Sequence, residues 1–161
     1  MSIPAHLFRE SVILPTLTDL DIRDSGAAAL LLATAIHESG LGFAIPPCRQ
    51  GHGMYQISAE VHQDVWDNYL SYDPDLASRV RGLASQRHFL TDPHRELTTN
   101  LAYATAIAWF VYKHYGLAMV ETMVVEELAQ FWQQHFPSIQ KGSMTGFVKS
   151  YKHYTEAVVA A

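Results

Sequence analysis

A single carboxylic acid follows the most apolar stretch of the chain. Glu38 lies two residues beyond the apolar run from Gly26 to Ile36, and a turn-rich loop follows it. The carboxyl-terminal end of a helix carries partial negative charge, and apolar neighbours disfavour ionisation, so both effects raise the pKa of a carboxyl group placed there. A raised pKa suits a general acid that works near neutral pH. Glu38 is therefore the first candidate for catalysis, and the alternative is a glutamate that reaches solvent from a helix end.

A glycine-flanked aromatic segment, Gly53-Met54-Tyr55-Gln56-Ile57, follows the loop. Gln56 stands between two apolar residues, and a buried amide needs hydrogen-bond partners, which are either backbone groups or a polar ligand. Gly53 lets another part of the backbone approach closely. Gln56 is the second candidate for function. A turn glycine with a solvent-facing glutamine is the alternative.

Other catalytic arrangements find little support in the sequence. The nine histidines are scattered and form no H-E-x-x-H motif. A metal site from His37, His52 and His62 is an alternative without a ligand-type spacing. A nucleophile pair of Cys48 and His52 is another, although a passive loop thiol explains Cys48 as well. Ser39 lacks the G-x-S-x-G context of a nucleophile elbow.

The composition indicates one globular domain. The chain has 161 residues, of which 48% are apolar and 17% are charged, and its net charge is −5. No run of Lys or Arg is present, which argues against nucleic acid as a partner. The apolar run from Gly26 to Ile36 is too short to span a bilayer, so we expect no stable membrane insertion. With Cys48 as the only cysteine, no intramolecular disulfide forms, and the N-terminus lacks the pattern of a secretory signal.

Helical spacing and capping residues predict a mostly α chain with one small β element near Gly53–Ile57. A central, buried helix should run from about Gly26 to Ser39, because it is apolar nearly all round. The other predicted helices are a short one between Pro4 and Pro15, one capped by Ser58, one opened by Asp73-Pro74, Glu96–Tyr115, about Val120–His135, and a last one that contains Phe147 and Tyr154.

Three pieces of the chain, taken in order, carry a family resemblance. They are Glu38-Ser39, the Gly53–Ile57 segment, and Asp92-Pro93 followed by the helix that Asn100-Leu101 opens and that contains Tyr103. Together they resemble the lysozyme-like superfamily and, within it, the soluble lytic transglycosylase group, in the style of phage-encoded members. That group pairs a catalytic Glu followed by Ser at a helix end with a downstream Gly-Leu-Met-Gln-Ile-type segment. The matching pieces lie between Leu30 and about Tyr115.

The chain departs from the family late in the domain. The family often has an Ala-Tyr-Asn segment there, whose aromatic residue contacts sugar near the acid. The nearest equivalent here is Ala129-Gln130-Phe131-Trp132, which has no Tyr-Asn pair. Phe131 or Trp132 would supply the aromatic contact, and a core position is the alternative for both residues.

The resemblance implies a reaction on peptidoglycan. Glu38 would protonate the glycosidic oxygen between N-acetylmuramic acid and N-acetylglucosamine and then act as a base. A lytic transglycosylase uses the muramoyl 6-hydroxyl as nucleophile and gives a 1,6-anhydro product, whereas a muramidase adds water. Glu60, Asp64 and Asp67 are the nearest further acids, but only their proximity in sequence marks them, which favours transglycosylation over a two-carboxylate hydrolase.

The resemblance also implies a lysozyme-like domain over residues 1–161, with a small β-hairpin or loop lobe beside the catalytic helix. Ser39 and Gln56 would orient substrate or Glu38. The further substrate-binding residues would be Tyr55, Met54, Tyr103 and Asn100, with the two tyrosines stacking on sugar rings. We expect no metal or organic cofactor, and glycan strands as the partner. A phage protein made in the host cytoplasm would reach the periplasmic wall through a tail or a holin. A virion or tail structural protein with this fold and little activity is the alternative.

Overall fold

The computed structural model describes residues 3–42, 50–140 and 142–156. Residues 43–49, with Cys48 and most of the loop predicted from Phe43 to His52, lie outside this description. The helices are α1 (Ala5–Phe8), α2 (Leu14–Asp19), α3 (Ala27–Ser39), α4 (Ala59–Asn68), α5 (Pro74–Leu83), α6 (Gln86–Thr91), α7 (Glu96–Thr99), α8 (Leu101–His114), α9 (Val125–His135) and α10 (Met144–Glu156). Strands β1 (Gly51–His52) and β2 (Ile57–Ser58) form an antiparallel pair. The predicted mostly α class is therefore confirmed.

Two helices that are apolar on all sides form the centre of the fold. Nearly every residue of α3 and of the middle of α8 is buried, as expected for helices without a polar face. The Thr34 and Tyr112 hydroxyl groups join these two helices through a 2.6 Å hydrogen bond. Helices α9 and α10 pack against α3, and α4 and α5 pack against α8. Among the described residues, no helix is long and apolar enough to cross a membrane.

Helix α3 ends where the sequence predicts. Gly40 adopts a left-handed conformation with φ of 56°, which is the usual way for a helix to stop. Leu41 follows with φ of 55°, an uncommon conformation for a residue with a branched side chain, and it is buried. These consecutive left-handed residues turn the chain sharply after Ser39. The last turn of α3, which carries Glu38, is consequently fixed at the point where the chain reverses.

The first helical segment is longer than predicted. Instead of ending before Pro15, the chain passes from α1 through a π-helical stretch, Arg9–Ile13, into α2. Proline has no N–H and its ring clashes with the carbonyl four residues earlier. A π turn widens the backbone just before that position, so the segment accommodates Pro15 without ending.

The predicted helix from Glu96 to Tyr115 is wrong in one respect, because it is interrupted at Asn100. Asn100 has extended backbone angles (φ −123°, ψ 100°), and its side-chain oxygen accepts a hydrogen bond from the Tyr103 backbone N–H. Asparagine is a favoured N-cap residue because its short side chain satisfies a free helix N–H. The apolar periodicity continues across the break, so the sequence of α7 and α8 has the hydrophobic pattern of a single helix.

The helix predicted from Val120 to His135 begins only at Val125. The segment 117–124 has no regular secondary structure. The backbone of this segment bonds to the residues just before α3. Val120 N–H donates to the Asp24 carboxylate at 2.8 Å, and the Val120 carbonyl accepts from Gly26 N–H at 2.9 Å. These long-range bonds satisfy the backbone groups that a helix would otherwise pair internally.

Candidate functional site

Glu38 lies in the last turn of α3 and is only 1% exposed. Both oxygens of its carboxyl group are hydrogen-bonded. Trp132 Nε1 on α9 donates to Oε1 at 2.9 Å, and Ser138 Oγ, three residues beyond the end of α9, donates to Oε2 at 3.0 Å. The carboxyl group therefore joins the central helix to the last third of the chain. It does not reach bulk solvent, as a surface glutamate at a helix end would.

Burial controls the acidity of this group. Removal from water disfavours the charged form and raises the pKa of Glu38 to about 7. The hydrogen bonds from Trp132 and Ser138 favour the carboxylate and lower the pKa, but they offset only part of the burial effect. The direction agrees with the raised pKa predicted from the apolar run. A carboxyl group with a pKa near 7 is able to donate a proton at neutral pH and to take one back.

A groove runs beside this acid, between the β-hairpin and the segment after α9. Its cavity has a volume of about 530 Å³. The lining residues are Gln50, Ser58, Ala59, Glu60, Pro137, Ser138 and Ile139. Ser138 thus has two roles, since it both lines the groove and donates to Glu38. The wall of this groove therefore bonds directly to the acid.

The acids considered as partners for Glu38 are found in different places. Glu60, in the first turn of α4, is exposed and lines the groove. Asp64, also on α4, accepts hydrogen bonds from His114 Nε2 and the Tyr115 hydroxyl, both at 2.9 Å. Asp67 is exposed on the same helix. Of these three acids, Glu60 is the one that lines the groove beside Glu38.

Ser39 connects the acid's helix to the hairpin. Its hydroxyl group is fully buried and lies 2.7 Å from the Met54 carbonyl and 3.1 Å from the Ala35 carbonyl. Met54 is buried as well. The resemblance assigns Ser39 to orienting substrate or Glu38 and Met54 to substrate contact, and in the structure both hold the hairpin against the end of α3. Their geometry therefore supports a positioning role next to Glu38.

Gln56 closes the turn between the two strands. It is 3% exposed, has φ of 48°, and its side-chain Nε2 donates to the Gly53 carbonyl at 2.7 Å. The partner of this buried amide is therefore a backbone carbonyl, which is the first of the two kinds of partner expected from the sequence. Gly53 has φ of 72°, and a Cβ atom there would collide with the carbonyl of Leu97. The glycine is therefore required by both conformation and space, as the sequence pattern suggested.

Tyr55 and Tyr103 lie in the core and not on a groove wall. Both are completely buried. The Tyr55 hydroxyl pairs with Thr105 Oγ1 at 2.9 Å, and the Tyr103 hydroxyl accepts from Trp66 Nε1 at 2.8 Å. Neither ring has a free face on which a sugar could stack, so the expected stacking role of these two residues is wrong for this structure. The resemblance that suggested them matches sequence motifs, and a motif does not distinguish a ring in the core from a ring on a groove wall.

Asn100 also has a structural role. Besides capping α8, its side-chain Nδ2 donates to the Leu83 carbonyl at 2.7 Å and to Glu96 Oε2 at 3.1 Å. Glu96 is itself buried and accepts a hydrogen bond from the Ser85 backbone N–H at 3.2 Å. Asn100 therefore organises the junction of α5, α7 and α8, and among the described residues its side-chain hydrogen bonds go to Leu83, Glu96 and Tyr103, none of which lines the groove.

The three histidines considered for a metal site, His37, His52 and His62, do not form one cluster. His62 Nδ1 and His94 Nδ1 are 2.9 Å apart, and the His52 ring stacks on His94 at 6.0 Å. His37 packs instead against Trp132, with ring centroids 4.5 Å apart. Burial, with smaller effects of His94 and His52, lowers the pKa of His62 to about 3. Within residues 3–42, 50–140 and 142–156, no group of three metal-ligating side chains is placed to hold an ion.

The sequence points to one of the two groups that contact the Glu38 carboxyl group. Trp132 is a candidate for the late aromatic contact, and the structure buries it and directs its N–H to Glu38. The resemblance does not include Ser138. The only local signal is Pro137, which ends the helical pattern and brings the chain back toward α3.

Comparison of the chain with protein-family models, with curated proteins and with solved structures gave no match.

Proposed function

We propose that the protein cleaves the β-1,4 bond between N-acetylmuramic acid and N-acetylglucosamine in peptidoglycan, with Glu38 as general acid and base. The observation that carries the proposal is the buried carboxyl group of Glu38, with a pKa raised to about 7, bonded to a residue on a groove wall. The resemblance of Glu38-Ser39 and Gly53–Ile57 to lytic transglycosylases supplies the substrate class. The substrate would lie in the 530 Å³ groove.

The chemistry uses both protonation states of Glu38. At neutral pH a group with a pKa near 7 is partly protonated, so it can protonate the leaving glycosidic oxygen. The resulting carboxylate then removes a proton from the nucleophile, which is the muramoyl 6-hydroxyl in a lytic transglycosylase. Glu60 on the groove wall favours a muramidase as the alternative, since hydrolases of this class commonly use a second carboxylate to activate water.

The decisive experiment compares clearing of purified cell walls by the wild type and by Glu38→Gln. We expect clearing by the wild type and at least about a hundredfold lower rate for the variant, because general acid catalysis is lost. Glu60→Gln is the matched control: a transglycosylase retains its activity, whereas a two-carboxylate hydrolase loses it. Mass analysis of the products then separates the two reactions, because anhydro products are lighter by one water. Equal clearing by wild type and Glu38→Gln would remove Glu38 from catalysis.

The burial of Glu38 also favours a second function class. A carboxyl group that is 1% exposed and bonded to Trp132 and Ser138 fixes α9 to α3, which is a structural role in itself. A virion or tail structural protein with this fold would retain such a pair without turnover. The discriminating result is no wall clearing by the wild type together with retained binding to intact glycan strands in a pull-down experiment.

A further inference from the structure

The proposed chemistry requires that a proton move between the buried Glu38 carboxyl group and a glycan in the groove. Glu38 is 1% exposed, whereas a glycan in the groove contacts the groove wall, of which Glu38 is not a part. A proton from this acid must therefore cross from the buried carboxyl group to the groove. The groups that hydrogen-bond to the carboxyl oxygens decide where it can cross.

The position of the acidic proton follows from the two donors. Trp132 Nε1–H can only donate, so the oxygen that faces it, Oε1, always acts as an acceptor. In neutral Glu38 the proton consequently sits on Oε2. That oxygen faces Ser138 Oγ at 3.0 Å. A serine hydroxyl accepts as readily as it donates, so the hydrogen bond reverses when Glu38 is protonated.

Ser138 is also fixed in place. Its backbone N–H donates to the Phe136 carbonyl at 2.9 Å, and it follows Pro137, whose ring restricts the backbone. Ser138 is half-buried. Its hydroxyl group bonds to Glu38, and the residue itself lines the groove. Gln140, the other nearby polar residue, donates to the backbone carbonyl of Glu38 and not to its carboxyl group. Within the described residues, Ser138 is the carboxyl partner that can both accept and donate.

We propose that Ser138 is a catalytic residue that relays the proton between Glu38 and the glycan, an inference that rests on the proposed function. In the first step Glu38 Oε2–H passes to Ser138 Oγ while the Ser138 hydroxyl proton passes to the glycosidic oxygen, and the bond from that oxygen to the anomeric carbon breaks. In the second step the nucleophile's hydroxyl proton passes to Ser138 Oγ, and the serine proton returns to Oε2. The nucleophile's oxygen then forms the new bond to the anomeric carbon. Serine and glutamic acid both return to their starting states.

The test uses three serine variants of the full chain on soluble glycan strands. Ser138→Ala removes the relay, and Ser138→Thr retains a hydroxyl group. Ser143→Ala is the matched control, since the Ser143 hydroxyl accepts from Gly146 N–H at the start of α10 and does not line the groove. We expect kcat to fall at least about tenfold in Ser138→Ala with KM nearly unchanged, because a proton-transfer group is lost without loss of binding. Ser138→Thr should restore most of kcat, and Ser143→Ala should match the wild type.

Two further measurements distinguish a relay from a structural effect. The rate plotted against deuterium fraction should be curved for the wild type, since two protons move together, and linear for Ser138→Ala. The pKa of Glu38, followed by carboxyl NMR, should rise in Ser138→Ala, because a donor that favours the carboxylate is lost. An unchanged pKa together with an unchanged kcat in Ser138→Ala would show that the hydrogen bond plays no part in the reaction and would overturn the relay.

The outcomes separate the two proposals. An active wild type, an inactive Glu38→Gln and a fully active Ser138→Ala would refute only the relay. A wild type that clears walls no faster than Glu38→Gln would refute the proposed function and, with it, the relay. A linear deuterium plot for an active wild type would likewise remove Ser138 from the proton path.

Discussion

The pH dependence of stability should reveal two buried groups that act in opposite directions. Glu38 has its pKa raised from 4.5 to about 7, and His62 has its pKa lowered from 6.5 to about 3, in both cases chiefly by burial. Between pH 4.5 and about 7, Glu38 is protonated in the folded state and ionised in the unfolded chain, so its contribution to the stability of the protein is lost as pH rises. Between about pH 3 and pH 6.5, His62 is neutral in the folded state and protonated in the unfolded chain, so it lowers the stability of the protein as pH falls.

The two contributions can be worked out from these values. Between pH 5 and pH 8, proton linkage for a carboxyl group shifted from 4.5 to about 7 removes about 2.5 kcal/mol of stability. Over the same interval, linkage for a histidine shifted from 6.5 to about 3 adds about 2 kcal/mol. The opposite signs nearly cancel, so these two groups together leave the wild type with a flat profile. Glu38→Gln removes the first contribution and leaves the second.

The assay is urea unfolding of wild type and Glu38→Gln at pH 5 and pH 8, with the free energy of unfolding extrapolated to water. Glutamine keeps an oxygen that can accept from Trp132, so the contacts are largely retained. Between the two pH values, the difference in stability, variant minus wild type, should grow by about 2.5 kcal/mol in favour of the variant. The control is Glu127→Gln, which removes one exposed carboxyl group on α9.

The reasoning is refuted if the stability difference between Glu38→Gln and wild type stays constant with pH, or if it changes in the opposite direction. A change of similar size in the Glu127→Gln control would show that overall charge, and not the burial of Glu38, is responsible. This measurement needs no substrate, so it tests the acid's environment independently of any reaction.

Two other predictions concern the elements that position the site, and both are checked by urea unfolding. Gly53→Ala should cost at least about 1–3 kcal/mol, because the left-handed φ of 72° disfavours alanine and its Cβ atom would collide with the backbone of α7. Gly82→Ala is its control: Gly82 lies within α5 with open space around it, so alanine there should stabilise by about 0.5–1 kcal/mol. Asn100→Ala should cost about 1–2 kcal/mol through loss of the α8 cap, and Asn100→Asp, which keeps a capping oxygen, should recover part of that loss. An Asn100→Ala protein as stable as the wild type would contradict the capping role.

Features set by short-range interactions could be predicted from the sequence. The stop of α3 at Gly40 and the Ser58 cap of α4 depend on residues within one helical turn, and both are found in the structure. The raised pKa of Glu38 was also predictable, since the apolar run that buries it is adjacent in sequence. In each case the residues that set the structure are close neighbours in the sequence.

Features set by distant contacts could not be predicted. A sequence motif is the same for a residue in the core and for one facing a groove, so the resemblance did not show that Tyr55 and Tyr103 are buried. The interruption at Asn100 was missed because the apolar pattern continues on both sides of it. The hydrogen bonds of Glu38 to Trp132 and Ser138 join residues 94 and 100 positions apart, for which the sequence carries no local signal.

That separation has a consequence for synthesis of the protein. A chain that has emerged only as far as α8 already contains Glu38 but has neither of the side chains that bond to its carboxyl oxygens. The acid's environment is therefore completed only when α9 and the segment after it dock on α3, a contact between parts of the chain about 100 residues apart. A nascent or C-terminally shortened chain would carry the acidic residue without its shaped surroundings, so chemical competence would coincide with completion of the fold.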